Sequence, residues 1–284
     1  MTRSDLARQL WLRIETIHAV TYFGVETKQA AAARGLDRFW VGYFAMRAAP
    51  LGEVGAGVVE ATFANFAPTF VRRWVPGCWS IASPVTALDG RREGAAATLR
   101  ATVPGIDRVA TDTAELLDRA IAAGDALARP LFAANRDLAF PDDPVAALWQ
   151  RCTTRREHRG DGHVATLAAT QLTGLEAHVL ITAEHGHDPS DLQRSRGWTP
   201  DDWSAATAAL TERGLLAGTA LTEDGRELRA HIEATTDRLA TTPLTVWSDD
   251  EAAAAIAALD PVARAVSAAG VLRYPNPIGL PPLT

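Results

Sequence analysis

Nine consecutive residues, Arg155-Arg156-Glu157-His158-Arg159-Gly160-Asp161-Gly162-His163, bring together two histidines, two carboxylates, three arginines and two glycines. Histidine titrates near neutrality without a large shift, and a neighbouring carboxylate can orient its ring, so the combination suits acid-base chemistry. On that reading His158 or His163 is the general acid or base and Asp161 or Glu157 orients it. Arg156 and Arg159, with Arg47 from elsewhere in the chain, would hold an anionic group. Each glycine costs about 1 kcal/mol against alanine inside a helix, which predicts that a ligand or a second helix comes close to the bare backbone. The same charges would also serve a purely structural ion-pair network, and the residue types alone leave both readings open.

The elements that must position these groups follow from apolar spacing. A long helix is predicted from Val145 to about Leu172, with Arg156, Arg159 and His163 on one face beside Cys152 and Leu167. His158 and Asp161 form a second stripe, and Trp149, Val164, Leu167 and Ala168 are expected to face the core. In the first half, His18 and Tyr22 lie one turn apart on a helix from Leu6 to Val20. Tyr43, Arg47 and Asn65 add polar groups among Phe23, Trp40, Phe44, Phe63 and Phe66. Aromatic walls with a few convergent polar groups describe a small-molecule site, and equally a core with satisfied buried polar residues. The expectation is that the two constellations meet, with His163 and its arginines facing His18, Tyr22, Tyr43, Arg47 and Asn65.

A net charge of -6 gives the chain no basic excess of the kind that nucleic-acid binders carry. Cys78 and Cys152 are far apart and lack a second ligand pair, so neither a disulfide framework nor a zinc ribbon is expected. No apolar run reaches the roughly 18 to 20 residues of a membrane span, and the first residues carry no signal-peptide core, which points to a cytoplasmic protein. Spacing is mostly helical, with further helices predicted over 39–47, 54–66, 68–74 and 112–128, so the fold class is mainly α. Pro141-Asp142-Asp143-Pro144 is the clearest linker, dividing an α-helical domain at 1–140 from a second domain at 141–284.

In that second part, Thr199-Pro200-Asp201-Asp202 reads as the start of a helix running to Arg213. The run Leu210-Thr211-Glu212-Arg213-Gly214-Leu215-Leu216, followed by Ala220 to Leu228, resembles the end of the recognition helix and the wing of a MarR-like winged helix, over about residues 160 to 240. The resemblance implies a DNA-reading ancestor, a helix-turn-helix and a small β-wing. The charges oppose that ancestral role. The helix carries Asp201, Asp202 and Glu212 against Arg213, the wing adds Glu223 and Asp224, and only Arg194 and Arg196 offer phosphate contacts.

The whole chain also resembles an actinobacterial family that joins an α-helical N-terminal domain to this winged-helix-like part. The residues that carry it are His18 to Phe23, Phe39 to Phe44, Arg47 to Gly52, Ala61 to Pro68, Arg156 to His163, Arg196-Gly197-Trp198 and Pro275-Asn276-Pro277-Ile278-Gly279-Leu280. The family resemblance supports the architecture and names no reaction. No nucleophile elbow, P-loop or dinucleotide fingerprint is present. Glu157, His158, Asp161 and His163 do not have the spacing of a metalloprotease helix, and Glu184 to Asp188 reads as a polar turn, so neither metal nor cofactor is expected.

The expected function is therefore recognition of a small-molecule ligand between the two domains by a winged helix that no longer reads DNA, with acid-base catalysis left open. The alternative is a MarR-like ligand-responsive transcriptional regulator. No membrane partner is expected, and 230–239 is the stretch that would serve a homodimer. The proline-rich tail from Arg273 to Thr284 should run extended, pinned by Tyr274 and Leu280.

Overall fold

The computed structural model describes residues 2–276 and 278–283, so Pro277 of the C-terminal motif, together with Met1 and Thr284, lies outside the described residues. The chain is mainly α. Its first half comprises α1 (Arg3–Phe23), α2 (Val25–Ala32), α3 (Phe39–Ala48), α4 (Ala56–Thr62), α5 (Pro68–Arg72), α6 (Pro84–Thr102), α7 (Ile106–Asp112), α8 (Ala114–Ala122) and α9 (Pro130–Arg136). The second half contains α10 (Pro144–Ala169), α11 (Gly174–His185), α12 (Ser190–Arg196) and α13 (Pro200–Glu212). The antiparallel hairpin β1 (Leu216–Ala217) and β2 (Ala220–Leu221) follows, then α14 (Glu223–Leu239) and α15 (Asp249–Ala268).

Local chemistry sets the ends of the elements that matter most. Asp143 caps α10 by accepting from the Val145 N–H at 2.9 Å, with Pro144 in the first turn where its missing N–H costs nothing. Thr199 caps α13 as its sequence predicts: its Oγ1 accepts from the Asp202 N–H, and the Asp202 carboxylate accepts from the Thr199 N–H at 2.9 Å. Ser248 and Glu251 close the same reciprocal box at the start of α15.

Three apolar clusters form the interior. The first joins α1, α6, α7, α8 and α15 to the front half of α10, so it draws residues from both sides of the expected boundary at Pro141 to Pro144. Trp149, fully buried, stands at its centre: its Nε1 donates to the His18 carbonyl at 3.1 Å, and the His18 ring stacks on it at 5.9 Å. The second cluster gathers Phe44, Phe63 and Phe66 with Leu36, Val59 and Val71, the aromatic segment that the sequence marks out. In the third, Leu175, Leu180, Trp203, Leu210, Leu216 and Ile232 tie the helix-turn-helix to α14.

Several boundaries differ from their expectations, each for a local reason. The helix predicted over 112–128 is α8 alone, because Thr113 separates it from α7 and the chain leaves the helix after Ala122. The segment 54–66 is helical only over α4. The wing ends at Leu221: Glu223 and Asp224 sit in the first turn of α14, where their charges favour the positive end of the helix dipole. Val164 is only partly buried and Ala168 is exposed, so the core face of α10 is carried by Trp149, Cys152 and Leu167. The tail is pinned as expected: Tyr274 OH lies 3.1 Å from Ser267 Oγ, and Asn276 brackets buried Leu280 by two hydrogen bonds of 3.0 Å.

The two glycines inside α10 are not equivalent. A Cβ at Gly162 would come 3.2 Å from Arg129 Nη1, whereas one at Gly160 would meet only Arg156 and Glu157 at an ordinary 3.6 Å. Gly160→Ala should therefore stabilise the protein by about 0.5–1 kcal/mol through helix propensity and a less flexible unfolded chain. Denaturant midpoints at unchanged slope would measure it, and a lower midpoint would mean that something must approach this backbone.

Candidate functional site

Helix α10 carries its charged residues on three sides, and each meets a different part of the chain. Towards α1 and α3, the structure gathers six of the sequence-predicted residues. His18 Nδ1 lies 2.9 Å from Thr153 Oγ1 and its Nε2 3.0 Å from Tyr22 OH, and the Tyr22 ring packs on Tyr43 at 5.1 Å. Arg47 Nη1 donates to Tyr43 OH at 2.9 Å, its guanidinium rests 4.0 Å from the Phe63 ring centre, and its Nε is 3.8 Å from Glu157. Arg156 then donates to Glu157 at 2.9 Å and to Glu15 at 3.0 Å. Burial alone would raise the Glu157 pKa, but Arg156 and Arg47 outweigh it and hold the carboxyl below its ordinary range. Burial, with Arg156 and Arg47 close by, pushes His18 far down, so its imidazole is neutral. These polar atoms are directed at one another.

Towards α9, Arg129 Nε donates to His158 Nε2 at 3.0 Å, which leaves the ring proton on Nδ1. Burial, reinforced by Arg155 and Arg129, pushes His158 down to about 2, making it a weak proton acceptor at neutral pH. Asp161 accepts the Phe132 N–H at 2.9 Å in the first turn of α9, while burial and the nearby Glu157 push its pKa up to about 7.

Towards α14, Arg159 donates to Asp237 at 2.9 Å and lies 4.4 Å from the Trp11 ring centre, and Arg8 donates to Asp237 and Glu233. His163 Nδ1 lies 3.1 Å from Thr236 Oγ1, and burial pushes its pKa down to about 4. His163 and Arg159 therefore look towards α14 instead of towards His18, Tyr22, Tyr43 and Arg47. Residues i and i+3 or i+4 share a face, so Arg156, Arg159 and His163 lie along one side of α10, but Glu15 of α1 meets Arg156 while α14 meets Arg159 and His163, and Glu157 points a third of a turn or more away.

Asn65 belongs to none of these groups. It lies in a segment, residues 64–70, that saddles the turn between α12 and α13. The Trp198 Nε1 donates to the Asn65 carbonyl at 3.1 Å, and the Ala67 N–H donates to the Arg196 carbonyl at 2.9 Å. The Arg196 guanidinium stacks on Phe66 at 4.8 Å. Gly197 has φ +76, and a Cβ there would overlap the Cβ of Phe70; at Gly174 it would overlap the Ala64 carbonyl oxygen. Only glycine allows either approach. Beside this saddle is a groove of about 280 Å³ lined by Thr69, Phe70 and Arg73 on one side and Gln193, Arg194, Gly197 and Trp198 on the other. The outward face of α13 presents Asp201, Asp202, Ser204, Ala205, Ala208, Thr211 and Glu212, with no cation until Arg213.

Sequence reasoning missed Glu15, Arg129, Glu233 and Asp237, the partners of the α10 charges. Helical spacing puts Glu15 one turn from His18 and Glu233 one turn from Asp237, which is the one signal that marked them. Among the described residues, no group of three or more His, Cys, Asp or Glu is arranged to hold a metal ion, and no single helix is long and apolar enough to cross a membrane.

A three-helix unit α11–α12–α13, closed by a minimal β-hairpin and packed on α10 and α14, defines a helix-turn-helix protein of mainly α architecture. The chain belongs to a helix-turn-helix family, whose model matches residues 7–273. No curated protein and no solved structure matches it significantly.

The shifted groups on α10 and α11 make the stability depend on pH in two opposed ways. His158, His178 and His163 have folded values of about 2, 3 and 4 against an ordinary 6.5, so stability is lost as pH falls below 6.5 and the unfolded chain takes up protons first. Asp161 rises from 3.8 to about 7, so its contribution is fully present below pH 3.8 and is lost as pH rises through 7. Asp161→Asn keeps an acceptor for Phe132 and should gain on the wild type by about 1–3 kcal/mol between pH 4 and 8. A stability difference that does not change with pH would show that Asp161 titrates as an ordinary carboxyl.

Proposed function

We propose that this helix-turn-helix protein recognises a small anionic molecule in the groove between α5 and the α12–α13 turn, and that its helix-turn-helix does not read DNA. The observation that carries the proposal is the groove itself, whose lining puts two arginines, Arg73 and Arg194, with Gln193 and Thr69 beside the aromatic residues Phe70 and Trp198; Arg194 also pairs with Asp191. Its volume approaches the lower limit of ordinary ligand sites, and paired cations with aromatic walls suit a planar carboxylate or a comparable small anion. The site lies between the two halves of the chain, at a different place from the His18–Glu157 cluster.

Against duplex reading stand the acidic outward face of α13 and the saddle of residues 64–70 over the turn that leads into it. In a DNA-reading helix-turn-helix the start of the second helix meets base edges while the preceding helix crosses the phosphates, and both need cations or amides there. Membership of a helix-turn-helix family favours a second reading, a ligand-responsive regulator in which groove occupancy shifts segment 64–73 against the turn. Acid-base catalysis receives no comparable support, because His158 and His163 are tied to Arg129 and Thr236, away from the groove.

Intrinsic fluorescence tests the binding reading, since Trp198 lines the groove. Titration with a panel of aromatic and aliphatic carboxylates and phosphates should find a ligand whose affinity falls about tenfold or more in Arg73→Ala and in Arg194→Ala. Equal affinity in both variants, or no response to any anion, would remove the groove as the site. A mobility shift on genomic DNA fragments at low salt that weakens as salt rises would replace the binder with the regulator; no shift at low salt keeps duplex reading out.

A further inference from the structure

Three histidines are exposed among the described residues, and two of them, His185 and His187, stand on either side of Gly186 where α11 ends. Gly186 has φ +63, and both its N–H and that of His187 return to the Thr182 carbonyl. This left-handed turn folds the chain back on itself, and the two imidazole rings lie 5.4 Å apart, centre to centre. The pairing is not a packing requirement of the core, because His185 leaves 52% of its side chain exposed.

Imidazole nitrogen is the commonest metal ligand that proteins offer. An ion about 2.0–2.1 Å from one nitrogen of each ring, at a near-tetrahedral angle, sets the ring centres about 5 Å apart. The observed spacing is therefore that of a chelating pair, to within a small rotation of two exposed side chains. The turn also favours positive charge: the last carbonyls of α11 form the negative end of its dipole, and Glu184 and Asp188 flank the pair in sequence. Both carboxylates are already engaged, Glu184 accepting from Arg229 at 2.9 Å and Asp188 from the Ser190 N–H and hydroxyl at 2.9 and 2.8 Å. They add negative potential, and the side-chain ligands are the two nitrogens, with water completing the coordination.

We infer that His185 and His187 form a binding site for one late first-row divalent cation, zinc, nickel or copper, at the turn between α11 and α12. Imidazole nitrogens select these ions over magnesium and calcium, which take oxygen ligands. The ion joins the last residue of α11 to the turn that leads into α12, and so braces the first angle of the helix-turn-helix. None of these residues lines the groove at α5, so the site needs no ligand there.

Titration calorimetry of the full chain, first stripped of metal with a chelator, uses zinc chloride as the probe and magnesium chloride as its control. The wild type should bind one zinc ion per chain at this turn and show no heat with magnesium. His185→Ala and His187→Ala should each weaken zinc binding about tenfold or more, while His231→Ala, which removes the remaining exposed histidine, should leave it unchanged. Zinc-soaked crystals of the wild type should show an anomalous peak between the two rings. No zinc binding by the wild type, an affinity that survives either His185→Ala or His187→Ala, an equal loss in His231→Ala, or no peak between the rings would each overturn the inference.

Discussion

Glu157 is a carboxylate with only 2% of its surface exposed, and it keeps its charge because Arg156 and Arg47 flank it while Arg156 is itself held by Glu15. That arrangement spans three helices: α1 supplies Glu15, α3 supplies Arg47, and α10 supplies the pair in between. Removing any one partner would leave a buried charge facing low dielectric, a far larger loss than the pair contributes when intact. The position of α3 relative to α10 is thus fixed by electrostatics as well as by packing. The aromatic cluster follows, because Tyr43 on α3 takes a hydrogen bond from Arg47 and Phe63 lies under its guanidinium.

From that fixed frame the loop after α4 reaches across to the helix-turn-helix. Its backbone makes the hydrogen bonds, through Asn65 and Ala67, so the contact depends little on which side chains those positions carry. The demand falls instead on the opposite side, where Gly174 and Gly197 must lack a Cβ. The helix-turn-helix is tied into the rest of the molecule at its turn, and the acidic residues of α13 face water.

Much of the frame was legible in the sequence because it rests on short-range chemistry. The helices read from Val145 and from Thr199 begin within a residue or two of α10 and α13, where Asp143 and Thr199 cap them. The gathering of His18, Tyr22, Tyr43, Arg47, Arg156 and Glu157 was also readable from spacing and residue type. What spacing does not encode is which element a helix face will meet, so His163 found Thr236 on α14 and Asn65 found Trp198. Helix α6 escaped notice because Gly90, Gly94 and a run of alanines blur its apolar period, although those same small residues let it pack closely on its neighbours. Helix α15 escaped for a similar reason, its alanine-rich sequence being interrupted by Pro261.

The pairing of α1 with α15 joins helices far apart in sequence in one core, where Leu10, Ile14 and Ile17 share a cluster with Leu259, Val262 and Val266. During synthesis α1 must therefore wait for α15. Until about residue 268 has emerged, the apolar stripe of α1 has no permanent cover, and the central cluster cannot close. Closure of this core is coupled in this way to the synthesis of α15, with high contact order and an interval of exposed apolar surface in which a chaperone would have its natural substrate.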